Sequence, residues 1–202
     1  MSSFDDGDRE RIRAELVEAG RELFAQFGFE RTRIRDVTEA VDIGTSTFCQ
    51  FFDSKEALYV VVLTAEREAI EEMLKTAVDS AETPKDEVRT LLRTLFSEVR
   101  SNPLIARLIV EGELRQIQDQ LSDAECRSVS TSPSEDRITL AERWAGIEEF
   151  RYDDPDLIRG IFRSLVFVTR SQETLIGTLH VEEYAEVEER LIETIVDGLF
   201  IE

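Results

Sequence analysis

The sequence predicts an all-α protein, and three observations carry that prediction. Apolar residues recur at intervals of three and four along most of the chain, no stretch alternates apolar and polar residues as a half-buried strand would, and the breaks fall at capping residues, glycine or proline. With 202 residues, 42% of them hydrophobic, the chain can bury a substantial core. It suits either one elongated helical domain or a small domain joined to a larger one.

Residues 8–27 place Ile12, Leu16, Ala19, Leu23 and Phe27 on one helical face, and Gly28 stands where a left-handed residue would close the helix. A shorter helix is expected over residues 34–41, then a break at Asp42-Ile43-Gly44, then a third helix from Thr45 to Phe51. Asp53 and Ser54 supply an N-cap for a long fourth helix, whose stripe of Leu58, Val61, Val62, Ala65, Ala69, Met73 and Leu74 reaches about residue 80. "SAETPKDE" interrupts the pattern at Pro84. A fifth helix carries Val88, Leu91, Leu92, Leu95, Phe96 and Val99, ends before Pro103, and is followed by a sixth opening with "LIARLIVEGEL".

From residue 121 to 136 the spacing fails, and "CRSVSTSPSED" predicts a loop. Residues 138–150, with Trp144, resume a helix. "YDDPD" then ends it, with Asp153 or Asp154 capping and Pro155 at an early helical position. The last two helices are expected over residues 155–178 and 181–200, the first carrying Ile158, Ile161, Phe162 and Leu165, the second Val187, Leu191, Ile195 and Leu199.

Composition excludes several functions. No apolar run approaches the roughly 18 residues a membrane span needs. The start, MSSFDDGDRERIR, has acids where a signal peptide would be basic, so a cytoplasmic protein with no membrane partner is expected. Cys49 and Cys126 lie far apart and pair with nothing at metal-ligand spacing, His180 is the single histidine, and neither a metal nor another cofactor is implied. No His pair, Glu-x-x-His or nucleophile motif points to an enzyme. The charge is unusual: 44 acids against 24 bases, a net of −20, with lysine only at positions 55, 75 and 85. An acidic, lysine-poor coat suits an extreme halophile, where molar salt screens self-repulsion. An acidic protein from an ordinary cytoplasm is the alternative, since charge by itself decides no fold.

In this chain "DVTEAVDIGTSTFCQFF", residues 36–52, stands apart, for it carries no charge from Ile43 to its end. Two short helices joined by a tight turn and backed by a longer first helix outline a helix-turn-helix, whose second helix enters the major groove of DNA. Carboxylates there would face phosphates. Thr45, Ser46, Thr47 and Gln50 instead offer hydroxyls and an amide to base edges and phosphate oxygens, while Phe48 and Phe52 face inward. Arg31, Arg33 and Arg35 open the preceding helix and Lys55 the following one, so basic groups flank the uncharged run. Chance could equally leave ten residues uncharged, and the arginines could be solvated surface groups.

"ELFAQFGF" and "DVTEAVDIGTSTFCQFFDSKEALYVVV" together resemble the DNA-binding region of the TetR/AcrR transcriptional regulators over about residues 12–63. Shared features are an aromatic-Gly-aromatic helix end, a short Val-Ala helix, the turn, the recognition helix and a Phe-x-Ser-Lys-Glu-x-Leu segment. The resemblance implies base or phosphate contacts from Thr45, Ser46, Thr47, Gln50 and Phe51, a groove-edge contact from Arg35 and a phosphate contact from Lys55. Three positions depart from the pattern. Cys49 stands where a tyrosine commonly reaches phosphate, which weakens or removes that contact; a short thiol would pack against the first helix or approach the backbone loosely. Asp42 replaces the turn glycine, and Asp tolerates the left-handed conformation. Arg33 replaces a capping threonine, leaving Thr32 or solvent to cap the second helix and Arg33 to bind phosphate.

The same resemblance implies a homodimer with a helix-turn-helix domain over residues 1–53 and a larger ligand-binding and dimerisation domain over residues 54–202, helix 54–80 connecting them. Its last two helices would pair through Ile158, Ile161, Phe162, Leu165, Val187, Leu191, Ile195 and Leu199, although these stripes would equally serve an intramolecular core. Phe96, Arg100, Glu111, Trp144, Phe162 and His180 are the candidates to line a small-molecule pocket. The implied function is a transcriptional repressor released from a palindromic operator in double-stranded DNA by an unidentified small molecule. The alternatives are a DNA-binding regulator without inducer and a helical interaction scaffold.

Overall fold

The computed structural model describes residues 6–106, 139–169 and 181–201. Its regular elements are all helices: α1 (Asp6–Phe27), α2 (Ile34–Ala40), α3 (Thr45–Phe48), α4 (Lys55–Asp79), α5 (Pro84–Ser101), α6 (Pro103–Ala106), α7 (Leu140–Ala145), α8 (Pro155–Thr169) and α9 (Val181–Leu199). None among the described residues is long and apolar enough to cross a membrane. The chain divides into two units, one holding residues up to 69 with α6, the other residues 70–102 and the described residues after 138.

In the first unit Ile12, Leu16 and Phe24 of α1 pack with Val37, Phe48 and the α4 residues Leu58 and Tyr59. At Gly20 an added Cβ would lie 3.1 Å from Leu58 Cδ2, so glycine permits the close approach of α1 to α4. Gly28 closes α1 at φ 81°, its N–H donating to the Phe24 carbonyl at 2.9 Å. That reversal returns Phe29 to the core, so Phe27, predicted to be buried, stays 44% exposed. The α4 stripe also differs from expectation: Val60 and Leu63 are buried, whereas Ala65, Ala69 and Met73 are exposed. Ser54 caps α4, its Oγ accepting from the Ala57 N–H at 3.0 Å.

The second unit is built around Trp144. Its ring lies 6.0 Å from Phe150 and 5.1 Å from Phe162, and its Nε1 donates to Glu87 Oε2 at 2.8 Å. Of the local signals that start these helices, Asp154 was expected, whereas Thr83 and Thr139 were not singled out from the sequence. Thr83 caps α5, Thr139 and Glu142 cap α7 reciprocally, and Asp154 Oδ1 accepts from the Asp156 N–H at 2.9 Å at the head of α8. The helix predicted over residues 138–150 is shorter, ending at Ala145 with Gly146 as its cap. Residues 147–150 turn instead, and Phe150 meets Phe200 in an isolated antiparallel bridge: Arg151 N–H donates to the Leu199 carbonyl and Ile201 N–H to that of Glu149, each at 2.8 Å. The continuation of α6, the loop predicted at 121–136 and the end of the helix predicted to reach 178 lie outside the described residues.

Ion pairs tie α5 to α9. Arg89 meets Glu193 at 2.6 Å, Arg93 bonds Glu189 and approaches Glu193 at 3.7 Å, and Arg100 bonds Glu188. Hydrogen bonds from Arg93 and Arg89 hold the carboxyls of Glu189 and Glu193 below the usual carboxylate range. Such a group stabilises the fold above its unfolded pKa of about 4.3, and the contribution is lost as pH falls through its lower folded value. Solvent-exposed pairs contribute about 0.2–1 kcal/mol each. The double variant Arg89→Gln, Arg93→Gln should therefore melt below the parent protein at pH 7, and scanning calorimetry should show the gap narrowing as the pH falls below the unfolded carboxylate pKa of about 4.3.

Candidate functional site

The turn between α2 and α3 depends on Asp42, the one non-glycine residue with positive φ, 55°, among the described residues. The Ile43 N–H donates to the Thr38 carbonyl at 3.0 Å across this turn. Helix α3 is a single turn beginning after Gly44. The predicted helix to Phe51 continues only as tighter bonds, Gln50 N–H to the Thr47 carbonyl at 3.0 Å and Phe51 N–H to that of Phe48 at 2.9 Å. Phe48 and Phe52 are buried, as their spacing requires. Thr45, Ser46, Cys49 and Gln50 are exposed, with Thr47 and Phe51 half-buried. Cys49 thus lies at the surface rather than against α1.

The basic groups differ in their freedom. Arg33 is exposed at the N-cap of α2, where its backbone N–H donates to Asp36 Oδ2 at 2.8 Å, and among the described residues its guanidinium has no acidic partner within ion-pair distance. Thr32 does not cap α2: its buried hydroxyl donates to the Gly28 carbonyl at 2.8 Å and so secures the end of α1. Arg35 is exposed, with Nε bonded to Glu39 Oε1 at 2.6 Å one turn on. Lys55 is engaged within the protein. Its Nζ donates to the Phe29 carbonyl at 2.8 Å and sits 4.0 Å from the Phe29 ring centroid, because the chain leaving Gly28 presents both to the first turn of α4. Without DNA, the ammonium predicted to reach phosphate joins the end of α1 to α4.

Two arginines of α1 belong to this surface and were not singled out from the sequence. Arg9 lies 5.2 Å over the Phe51 ring and approaches the Gln50 carbonyl at 3.4 Å, and Arg13 lies 5.3 Å over the Phe52 ring. Their i, i+4 spacing on the polar side of α1 was the available signal. The result is an uncharged one-turn helix bordered by guanidinium groups, an arrangement able to receive phosphates around a polar, uncharged reading edge.

In the second unit an open cavity of about 350 Å³ is walled by Leu74, Leu91, Leu95, Leu140, Trp144 and Phe162. Trp144 and Phe162 therefore stand where a pocket was predicted. Phe96 and Arg100 do not line it: Phe96 is buried in the core beneath, and Arg100 is occupied by Glu188. Glu111 and His180 lie outside the described residues. Of the residues predicted for a dimer seam, Ile158 and Leu199 are buried within the chain's own core, and Ile161, Phe162, Leu165 and Ile195 pack against that core. Val187 and Leu191 are 52% and 38% exposed, and Leu157 of α8 is 47% exposed.

Residues 16–62 match the family described as bacterial regulatory proteins, tetR family. The matched residues lie within the first unit. The surface just described falls on and beside these residues. The chain is 28% identical to the HTH-type transcriptional regulator TcmR of Streptomyces glaucescens over 123 residues, 61% of this chain and 50% of the relative. It is 24% identical to the HTH-type transcriptional repressor KstR of Mycolicibacterium smegmatis over 147 residues, 67% of this chain and 72% of KstR. The chain thus spans half the length of TcmR. The solved superantigen PfiT matches at a TM-score of 0.71 and 21% identity, covering 95% of this chain and 97% of its own. The fold is all-α, an N-terminal helix-turn-helix followed by a C-terminal helical domain.

Lys55→Ala should lower the stability of the DNA-free protein by about 1–2 kcal/mol, the sum of a cation–π contact and a charged hydrogen bond partly open to water. Chemical denaturation measures this. An unchanged midpoint would return Lys55 to the phosphate-binding role.

Proposed function

We propose that the protein is a sequence-specific transcriptional repressor that binds double-stranded DNA through α3 and is released by a small molecule. The observation that carries this reading is the charge-free face of α3. In a chain of net charge −20, the surface of Thr45, Ser46, Thr47 and Gln50 carries no carboxylate, and Arg9, Arg33 and Arg35 lie beside it or on the helix before it. The match of residues 16–62 to the tetR family and the similarity to the regulators TcmR and KstR support the same conclusion. In this reading residues 1–53 read DNA, and residues 54–202 bind ligand and dimerise, with the helix from Lys55 connecting them.

The DNA-binding form is a homodimer, since reading a palindromic operator takes two recognition helices about 34–36 Å apart. Exposed Val187 and Leu191 of α9 and Leu157 of α8 support such a seam, and at Gly160 and Gly198 an added Cβ would meet nothing within 4 Å, leaving room for a partner helix to approach. The buried residues Ile158 and Leu199 stabilise the single chain instead. Phosphate contacts come from Arg9, Arg33 and Arg35, and base contacts from Thr45, Ser46, Thr47 and Gln50, with Cys49 and Phe51 at the edge of the reading surface.

Gln50→Ala should cost about 1–3 kcal/mol on a site selected by the protein from a random DNA pool and leave binding to random DNA nearly unchanged. Equal losses on both, measured by fluorescence anisotropy, would remove Gln50 from direct readout. The charge supports a second expectation, that the protein works in molar salt as a halophile's protein does. An ordinary repressor loses affinity with a log–log slope of about −0.9 per neutralised phosphate. Here acidic protein facing phosphate takes up cations as guanidinium groups release them, so binding should persist in multimolar KCl with a slope near zero or positive. Tight binding at 0.1 M KCl that disappears at 2 M, with circular dichroism unchanged, would refute this.

A further inference from the structure

We propose that the second-unit cavity binds an amphipathic monocarboxylate, an apolar body ending in one carboxylate held by Arg163 and Thr139. This names the ligand class for the release proposed above and rests on that reading. Ten residues line the cavity, and none is acidic although acids are nearly twice as numerous as bases in the chain. Seven are apolar; the polar three are Thr139, Arg159 and Arg163. The Trp144 Nε1 is already used by Glu87, so it offers the cavity nothing polar.

The three polar residues can only donate. Thr139 Oγ1 accepts from the Glu142 N–H at 3.3 Å and from Arg159 Nη1 at 3.2 Å, which leaves its own hydroxyl hydrogen to give. Arg159 is neutralised by Asp156 at 2.7 Å, with Glu142 a further 3.9 Å neighbour. Of the two arginines lining the cavity, only Arg163 lacks such a partner within ion-pair distance among the described residues. Arg89, Arg93, Arg100, Arg143 and Arg190 also meet carboxylates. One uncompensated guanidinium beside one free hydroxyl hydrogen matches a single negative charge shared by two oxygens. A phosphate monoester would bring nearly two charges to a site whose other guanidinium, Arg159, is already met by Asp156 and Glu142, and is disfavoured on that count. The apolar walls and the volume, within the range of small-molecule sites, take the rest of the molecule.

Trp144 is the chain's only tryptophan and lines the cavity, so its fluorescence reports occupancy without DNA. Octanoate, 1-octanol and octylammonium present one body with three end groups. In 2 M KCl, octanoate should bind about tenfold or more tighter than octanol, the usual effect of a charged hydrogen bond, with octylammonium weakest. Arg163→Gln should bring octanoate to the level of octanol and leave octanol unchanged, Arg163→Lys should restore part of the difference, and Arg163→Glu should place octylammonium ahead of octanoate. Octanol binding as tightly as octanoate, equal weakening of both by Arg163→Gln, or no fluorescence response to any probe from protein shown folded by circular dichroism would overturn the assignment. Octanoate that binds with this preference but leaves DNA bound supports the cavity's ligand class and refutes ligand-driven release.

Discussion

The reading surface depends on an aromatic cluster where α1 ends and α4 begins. Phe24 meets Tyr59 edge-on at 4.7 Å, Phe29 meets Tyr59 at 4.9 Å, and Lys55 lies over Phe29 while bonding its carbonyl. The left-handed Gly28 makes the cluster possible by turning Phe29 back. Aromatic pairs contribute about 0.5–1.5 kcal/mol each beyond their buried area, and Lys55 adds a cation–π contact to them. Helices α2 and α3 are carried between the two elements that this cluster joins. An apolar lock therefore sets the geometry, and among the described residues Arg9, Arg13 and Arg33 meet no carboxylate within ion-pair distance, whereas Arg35 meets Glu39.

Charge is partitioned rather than spread. In the second unit, arginines of α5 meet glutamates of α9, and Arg143 meets Glu87 at 2.7 Å. Pairs this close lie within the screening length of about 3 Å at 1 M salt, so molar salt removes long-range repulsion among the excess acids while sparing them more. The α3 face follows the opposite rule, with no charge of its own and guanidinium groups brought by α1 and α2. In the proposed DNA-bound state, the acidic excess that would repel DNA at low salt is thus kept off the α3 face, where a carboxylate would meet phosphate directly.

What the sequence made legible was local. Gly28, Asp42, Ser54 and Asp154 act on backbone within a few residues, and each does what its chemistry indicates. Phe48 and Phe52 are one turn apart, so their shared burial could be read from spacing. The misses are contacts between distant residues. Lys55 bonds a carbonyl 26 positions away, Arg9 approaches one 41 positions away, and Phe150 leaves its helix to bridge Phe200. Arg100 read as a pocket residue because its partner Glu188, on another helix, cannot be found by period.

Helix α4 gives the proposed release a physical route. Leu58, Tyr59 and Leu63 belong to the first core, Val78 to the second with Leu74 packed against it, and Leu74 also walls the cavity. From Lys55 to Leu74 is 19 residues, about 28 Å along the helix at 1.5 Å per residue. Ligand and DNA need only prefer different placements of this helix, and couplings of about 1–3 kcal/mol are typical of such linked sites. The aromatic cluster then has a second role. Because Tyr59 stands on α4 and packs on Phe24 and Phe29, a shift of α4 acts first on the contacts that hold α1 to it, and so on the elements that carry the reading surface.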